Sequence, residues 1–99
     1  MKIYIAGKIT GDKYYKRKFR EVENMLRGHG HIVISPTVLA DGMTTADYMR
    51  ICFAMIDTAD AVFFLPDWTQ SKGAQLEMAY CQYIGKEIYY GFNMQGKEG

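Results

Sequence analysis

Four short apolar runs alternate with three stretches of helical periodicity along this chain of 99 residues, and that alternation leaves few folds open. Lys2–Ala6 (KIYIA), Ile32–Ser35 (IVIS), Ala61–Leu65 (AVFFL) and Glu87–Tyr90 (EIYY) are rich in β-branched and aromatic residues and read as strands. Between the first two, Tyr15, Phe19, Val22 and Leu26 recur at helical spacing and place one apolar stripe on a helix that Gly28 stops. Thr44-x-x-Asp47 has the form of a capping box, and Tyr48, Ile51, Cys52 and Met55 continue the helix it opens. A third helix starts at the N-cap Ser71 and runs to about Ile84, with Gly85 as its stop signal. A βαβαβαβ order predicts a parallel sheet with helices on both faces, joined by right-handed crossovers.

A chain this short builds one core, so a single domain is expected over residues 1–91, followed by a tail over 92–99. The formal charge of +1 gives no electrostatic footprint for nucleic acid or an anionic membrane. No apolar run approaches the ~18–20 residues that span a bilayer, and IYIAG is too short for a secretory segment, so the expected setting is cytoplasmic. Cys52 and Cys81 fall in helices without CxxC spacing and read as buried thiols, and His29 and His31 flank Gly30 in a turn. No metal site or organic cofactor is expected. Most methionines, from Met25 to Met94, read as core filler and surface. The aromatic side chains near the end (Tyr80, Tyr83, Tyr89, Tyr90 and Phe92) are hard to cover within one subunit, which suggests a homodimer or higher homo-oligomer.

In a parallel sheet the loops that follow the strands gather at one edge, where open α/β folds bind ligands. Those loops are Gly7–Asp12, Pro36–Met43, Pro66–Lys72 and the segment from Gly91. Asp60 precedes its strand, so it belongs to the opposite edge and reads as a turn or cap. In the first loop Gly7 and Gly11 flank Lys8, Ile9 and Thr10; the glycines either admit a ligand anion or simply make a strand-to-helix turn. In the third loop, Asp67 falls at the crevice, and Trp68 either stacks on a base or closes the loop over the core. Ser71 and Gly73 form a second candidate anion site, although an N-cap alone would account for Ser71. Glu77 is the lone carboxylate of the third helix, and Gly73 one turn before it leaves open space above it.

The pieces KIYIAGKITGD, ISPT, ADAVFFLPDW and SKGAQLEMAY together resemble small, often phage-borne proteins related to nucleoside 2-deoxyribosyltransferases and 2'-deoxynucleoside 5'-phosphate N-hydrolases. The resemblance runs from Lys2 to about Ile88. It implies a flavodoxin-like three-layer sandwich whose four-stranded sheet has the order 2-1-3-4. It also implies chemistry at an N-glycosidic bond. A glutamate matching Glu77 would attack the anomeric carbon of a deoxynucleoside or its 5'-monophosphate and expel the base, and a tyrosine matching Tyr4 would orient it. A serine matching Ser71 contacts the phosphate in the hydrolases, whereas the transferases have aspartate there.

The chain departs from the pattern where the related enzymes carry an aspartate that positions the sugar or protonates the leaving base. That position, eight residues before Asp60, is Cys52. The nearest carboxylate, Asp47, stands roughly 140° around the helix from it. Lys8 also occupies a place where the phage relatives usually show proline. The expected function is N-glycosidic cleavage or transfer with Glu77 as nucleophile and Asp67, Asp47 or solvent as proton source. The alternative is a nucleotide-binding module of the same fold without turnover.

Overall fold

The computed structural model describes residues 1–91; the expected tail, with Phe92 and Met94, lies outside the described residues. Strands β1 (Lys2–Ala6), β2 (Ile32–Ile34), β3 (Ala61–Phe64) and β4 (Glu87–Tyr90) alternate with helices α1 (Tyr15–Gly28), α2 (Thr45–Thr58) and α3 (Lys72–Ile84). All strands pair in parallel in the order β2-β1-β3-β4, as the resemblance implies.

The two-residue side-chain period of a strand sorts β1 between two helical layers. Ile3 and Ile5 pack with Val33 and Leu65 under Phe19 and Leu26 of α1. Tyr4 and Ala6 face the other way, into a core with Val62 and Phe64 that is covered by Cys52 and Ile56 of α2 and Met78 and Cys81 of α3. One helix therefore covers one face and two cover the other. This sorting puts a phenol in the layer that α3 also enters.

The elements end where local chemistry requires. β2 stops before Ser35, whose Oγ accepts from the Thr37 amide at 3.3 Å and caps a short 3₁₀ turn, Pro36–Val38. β3 stops at Phe64: the Leu65 amide still donates to the Ala6 carbonyl at 2.8 Å, but Pro66 has no donor to continue the ladder. A second 3₁₀ turn, Pro66–Gln70, follows. The expected stop at Gly28 shifts slightly. Gly28 is the last helical residue, and the left-handed residue that turns the chain is Gly30, at φ +89°. The capping box of α2 forms on both sides, and Ser71 caps α3 through its Oγ and the Ala74 amide. Asp60 accepts from the Lys2 amide at 2.7 Å, at the edge away from the crevice.

Tyr80 proves to be an internal tie rather than loose surface. Its ring stacks on Phe53 of α2 with centroids 4.4 Å apart, and its hydroxyl donates to Asp57 at 2.6 Å. Tyr83, Ile84, Tyr89 and Tyr90 do remain exposed, Tyr83 at 92%. Among the described residues β4 pairs only with β3, at the end of the sheet. No helix among the described residues is long and apolar enough to cross a membrane.

Candidate functional site

A cavity of about 520 Å³ opens above the carboxyl ends of β1 and β2, between the first turns of α2 and α3. Its floor is Tyr4, Cys52 and Glu77. The β1–α1 loop adds Gly7, Ile9 and Thr10, and the β2–α2 loop adds Pro36, Thr37 and Leu39 to Asp41. The start of α3 contributes Ser71, Lys72, Gly73 and Ala74.

Glu77 reaches this floor because it shares a helical face with Gly73 and Ala74, one turn earlier, and that face turns toward β1. Glu77 is only 6% exposed. Tyr4 is 1% exposed, and its hydroxyl donates to Glu77 Oε2 at 2.9 Å. Burial pushes the Glu77 carboxyl up to about 7, with the Tyr4 hydroxyl and the Cys52 thiol pulling it back down. Burial, with the neighbouring Glu77 carboxylate, holds the Tyr4 phenol well above its ordinary range, so it stays a neutral donor. Burial likewise pushes Cys52 up to about 11, and the thiol remains neutral. The arrangement is one carboxylate, poised between charge states near neutrality, with one hydrogen bond from a neutral phenol. A group so placed can act as a nucleophile or general base in its ionised fraction.

Gly73 adds room without being forced to by packing. A Cβ built there would meet Met49 Sδ at 3.8 Å and Ser71 Oγ at 3.9 Å, which is ordinary contact. Gly7 is different. A Cβ there would lie 2.7 Å from Leu65 Cδ1 and 2.9 Å from Leu65 Cβ, so that glycine is required by the crossing of the β1 loop over β3. The packing accounts for this glycine without an anion.

Of the residues singled out from the sequence, Tyr4, Gly7, Ile9, Ser71, Gly73 and Glu77 come together around the cavity. Four do not line it. Asp47 is held in the α2 capping box, accepting from the Thr44 amide at 3.1 Å, and faces Arg50 at 3.3 Å. Asp67 is occupied by the Lys8 amide at 3.0 Å and by an ion pair with Lys18. Lys18 also donates to the Lys8 carbonyl at 3.0 Å and to Asp12 at 2.6 Å. Its ammonium thus clamps the loops after β1 and β3 together from behind. Lys8 enters this clamp through its backbone, so the side chain is not what the loop uses. Trp68 packs edge-on against Phe64, ring centroids 5.7 Å apart, and closes the loop over the core instead of offering a stacking face.

Sequence reasoning passed over Asp41, Thr45, Tyr48 and Met49, which also line the cavity. Thr45, Met49 and Cys52 form a stripe at helical spacing, readable as a face but not distinguishable from core. Asp41 lies in a loop expected at the crevice. Among the described residues no group of three or more His, Cys, Asp or Glu side chains is arranged to hold a metal ion.

A family profile described as a domain of unknown function, DUF4406, matches residues 1–90. No curated protein matches the sequence. Among solved structures, the 2-deoxyribosyltransferase of Bacillus psychrosaccharolyticus superposes with a TM-score of 0.72 at 21% identity, over 91% of this chain and 71% of that one. The 2-deoxyribosyltransferase of Leishmania mexicana also gives 0.72, at 19% identity, over 90% of this chain and 62% of that one. The chain thus has the fold of these enzymes and spans less than two thirds of the Leishmania protein.

Proposed function

The chain belongs to the DUF4406 domain family, and from the geometry of its site we propose that it binds a deoxynucleoside or its 5'-monophosphate and cleaves or transfers the N-glycosidic bond, with Glu77 as nucleophile. The single observation that carries this reading is the Tyr4–Glu77 pair, 2.9 Å apart at the floor of an open cavity. The fold shared with two 2-deoxyribosyltransferases supports it. In the proposed reaction the ionised Glu77 carboxylate forms a bond to the anomeric carbon as the carbon–nitrogen bond to the base breaks. The bonding pair leaves with the base, which takes a proton from solvent at the open mouth, since Asp47 and Asp67 are engaged elsewhere. Water or a second base then displaces the carboxylate from the glycosyl-enzyme. A 5'-phosphate would take the Ser71 hydroxyl and the free amides at the start of α3. The exposed aromatic edge of β4 and α3 belongs to this reading as the contact of a homodimer, with light scattering as its check.

A second reading, binding without turnover, is favoured by Cys52, a neutral thiol on the cavity floor beside the only buried carboxylate among the described residues. Incubation with deoxynucleosides and their 5'-monophosphates, followed by chromatography for free base, separates the two. Base released by the parent and not by Glu77→Ala supports the enzyme. Release by both at equal rates refutes the nucleophile, and binding without release supports the module.

A further inference from the structure

Resting on the proposed function, we infer that Asp41 is the residue that reads the base, and that it selects bases presenting two adjacent N–H donors, as guanine does on its N1–H and 2-amino edge. Asp41 and Glu77 are the two carboxylates that line the cavity. Glu77 already accepts the Tyr4 hydroxyl, whereas no described residue donates to Asp41 or forms an ion pair with it. An ionised carboxylate offers acceptors only, and its two oxygens match two parallel N–H donors.

Two independent features of the fold place the exposed Asp41 at one wall of the cavity. First, its loop is pinned to α2 from both sides. The Tyr48 hydroxyl donates to the Ala40 carbonyl at 2.6 Å and accepts from the Met43 amide at 3.3 Å. Gly42, at φ +88°, makes the turn between. Second, the strand order β2-β1-β3 places the loop after β2 and the helix start after β3 on opposite sides of β1. They are separated by about two strand spacings, roughly 10 Å. Tyr4, on β1, lies between them with Glu77. The cavity therefore has an acceptor wall at Asp41 and a donor wall at Ser71 and Lys72, with the carboxylate nucleophile in the middle. A nucleoside whose sugar sits over Glu77 and whose 5' oxygen points toward Ser71 carries its base toward Asp41.

The test compares deoxyguanosine with deoxyinosine, which differ only in the 2-amino group, on the full chain and on Asp41→Asn. Asparagine offers one acceptor and one donor, which suit the N1–H and O6 edge that both bases share. The full chain is expected to favour deoxyguanosine about tenfold or more in kcat/KM. In Asp41→Asn that ratio should collapse toward one. A thermal melt of the variant checks that it folds. A parent ratio near one, or a parent ratio preserved in Asp41→Asn, overturns the inference even if base is released. If no base is released, the proposed catalysis fails, and the ratio of dissociation constants for the two nucleosides, by calorimetry, decides the role of Asp41. Failure of both nucleosides to bind overturns it.

Discussion

Replacing Glu77 by glutamine should make the protein more stable, by an amount that depends on pH in a way the structure dictates. The carboxyl titrates near 4.5 in an open chain and at about 7 in the fold, because burial disfavours its charged form. The folded protein therefore holds this proton more tightly than the unfolded one. Stability from the group is fully present below about pH 4.5, declines as pH rises through the interval up to 7, and stays low above it. The corresponding deficit at alkaline pH is about 3 kcal/mol. Glutamine keeps an acceptor for the Tyr4 hydroxyl and has no charge to bury. The difference in unfolding free energy between Glu77→Gln and the parent should be small at pH 5 and grow to about 3 kcal/mol by pH 8.5. For a domain of this size each kcal/mol moves Tm by about 4–8 °C. Urea titrations of both proteins at several pH values read the difference directly. Asp12 and Asp60, whose carboxyls are held below their usual range by Lys18 and the Lys2 amide respectively, are common to both proteins and cancel. A difference that stays constant from pH 5 to 8.5 would mean that the carboxyl is not perturbed, and the reasoning about its charge would fall.

Tyr4→Phe removes the hydroxyl that pulls the carboxyl down, so the rising limb of kcat/KM against pH, expected near 7 in the parent, should move to higher pH with a loss of about 10–100-fold at neutrality; an unmoved limb counts against the pairing. The two cavity glycines should respond oppositely to alanine. Gly7→Ala, forced against Leu65, should destabilise by roughly 1–3 kcal/mol, whereas Gly73→Ala, with room for its methyl, should raise Tm slightly and weaken nucleoside binding by calorimetry. Lys18→Met cuts the clamp between the β1 and β3 loops and leaves Asp12 and Asp67 facing each other. KM should rise more than kcat falls, and high salt should narrow the gap to the parent.

The period-2 and helical patterns carried the architecture, because they report burial directly. The convergence of Tyr4 and Glu77 at 2.9 Å was implied by the family resemblance and not by these patterns, which say only that each lies in a strand or helix. Polar residues whose partners are remote in sequence did not yield to this reading. Asp67 looked available until Lys18, 49 residues away, was seen to claim it. Asp47 is spent on its own helix start, which the capping box already hinted at. Asp41 was invisible for the opposite reason. Its proposed role rests on having no partner among the described residues, and a sequence does not display an absence.

The buried carboxylate gives the site its character under the proposed reaction. Placing Glu77 beneath the cavity and above the apolar core raises the free energy of its charged form, and one phenol hydrogen bond does not offset this. A neutral sugar seated over it would exclude more water and raise that free energy further. As the base departs, however, the anomeric carbon acquires positive charge within contact distance of the carboxylate, and the interaction strengthens where the local dielectric is low. The destabilisation of the buried carboxylate is thus relieved in the transition state and not in the ground state, which is the condition for it to accelerate the chemical step. A second acid on the floor that shared its proton with Glu77 would weaken that asymmetry. Cys52, neutral to about pH 11, leaves the charge on Glu77. Cys52→Asp should therefore move the rising limb of the pH profile above that of the parent, because two adjacent carboxylates oppose each other's ionisation. An unchanged limb would mean that the thiol does not govern the charge of its neighbour.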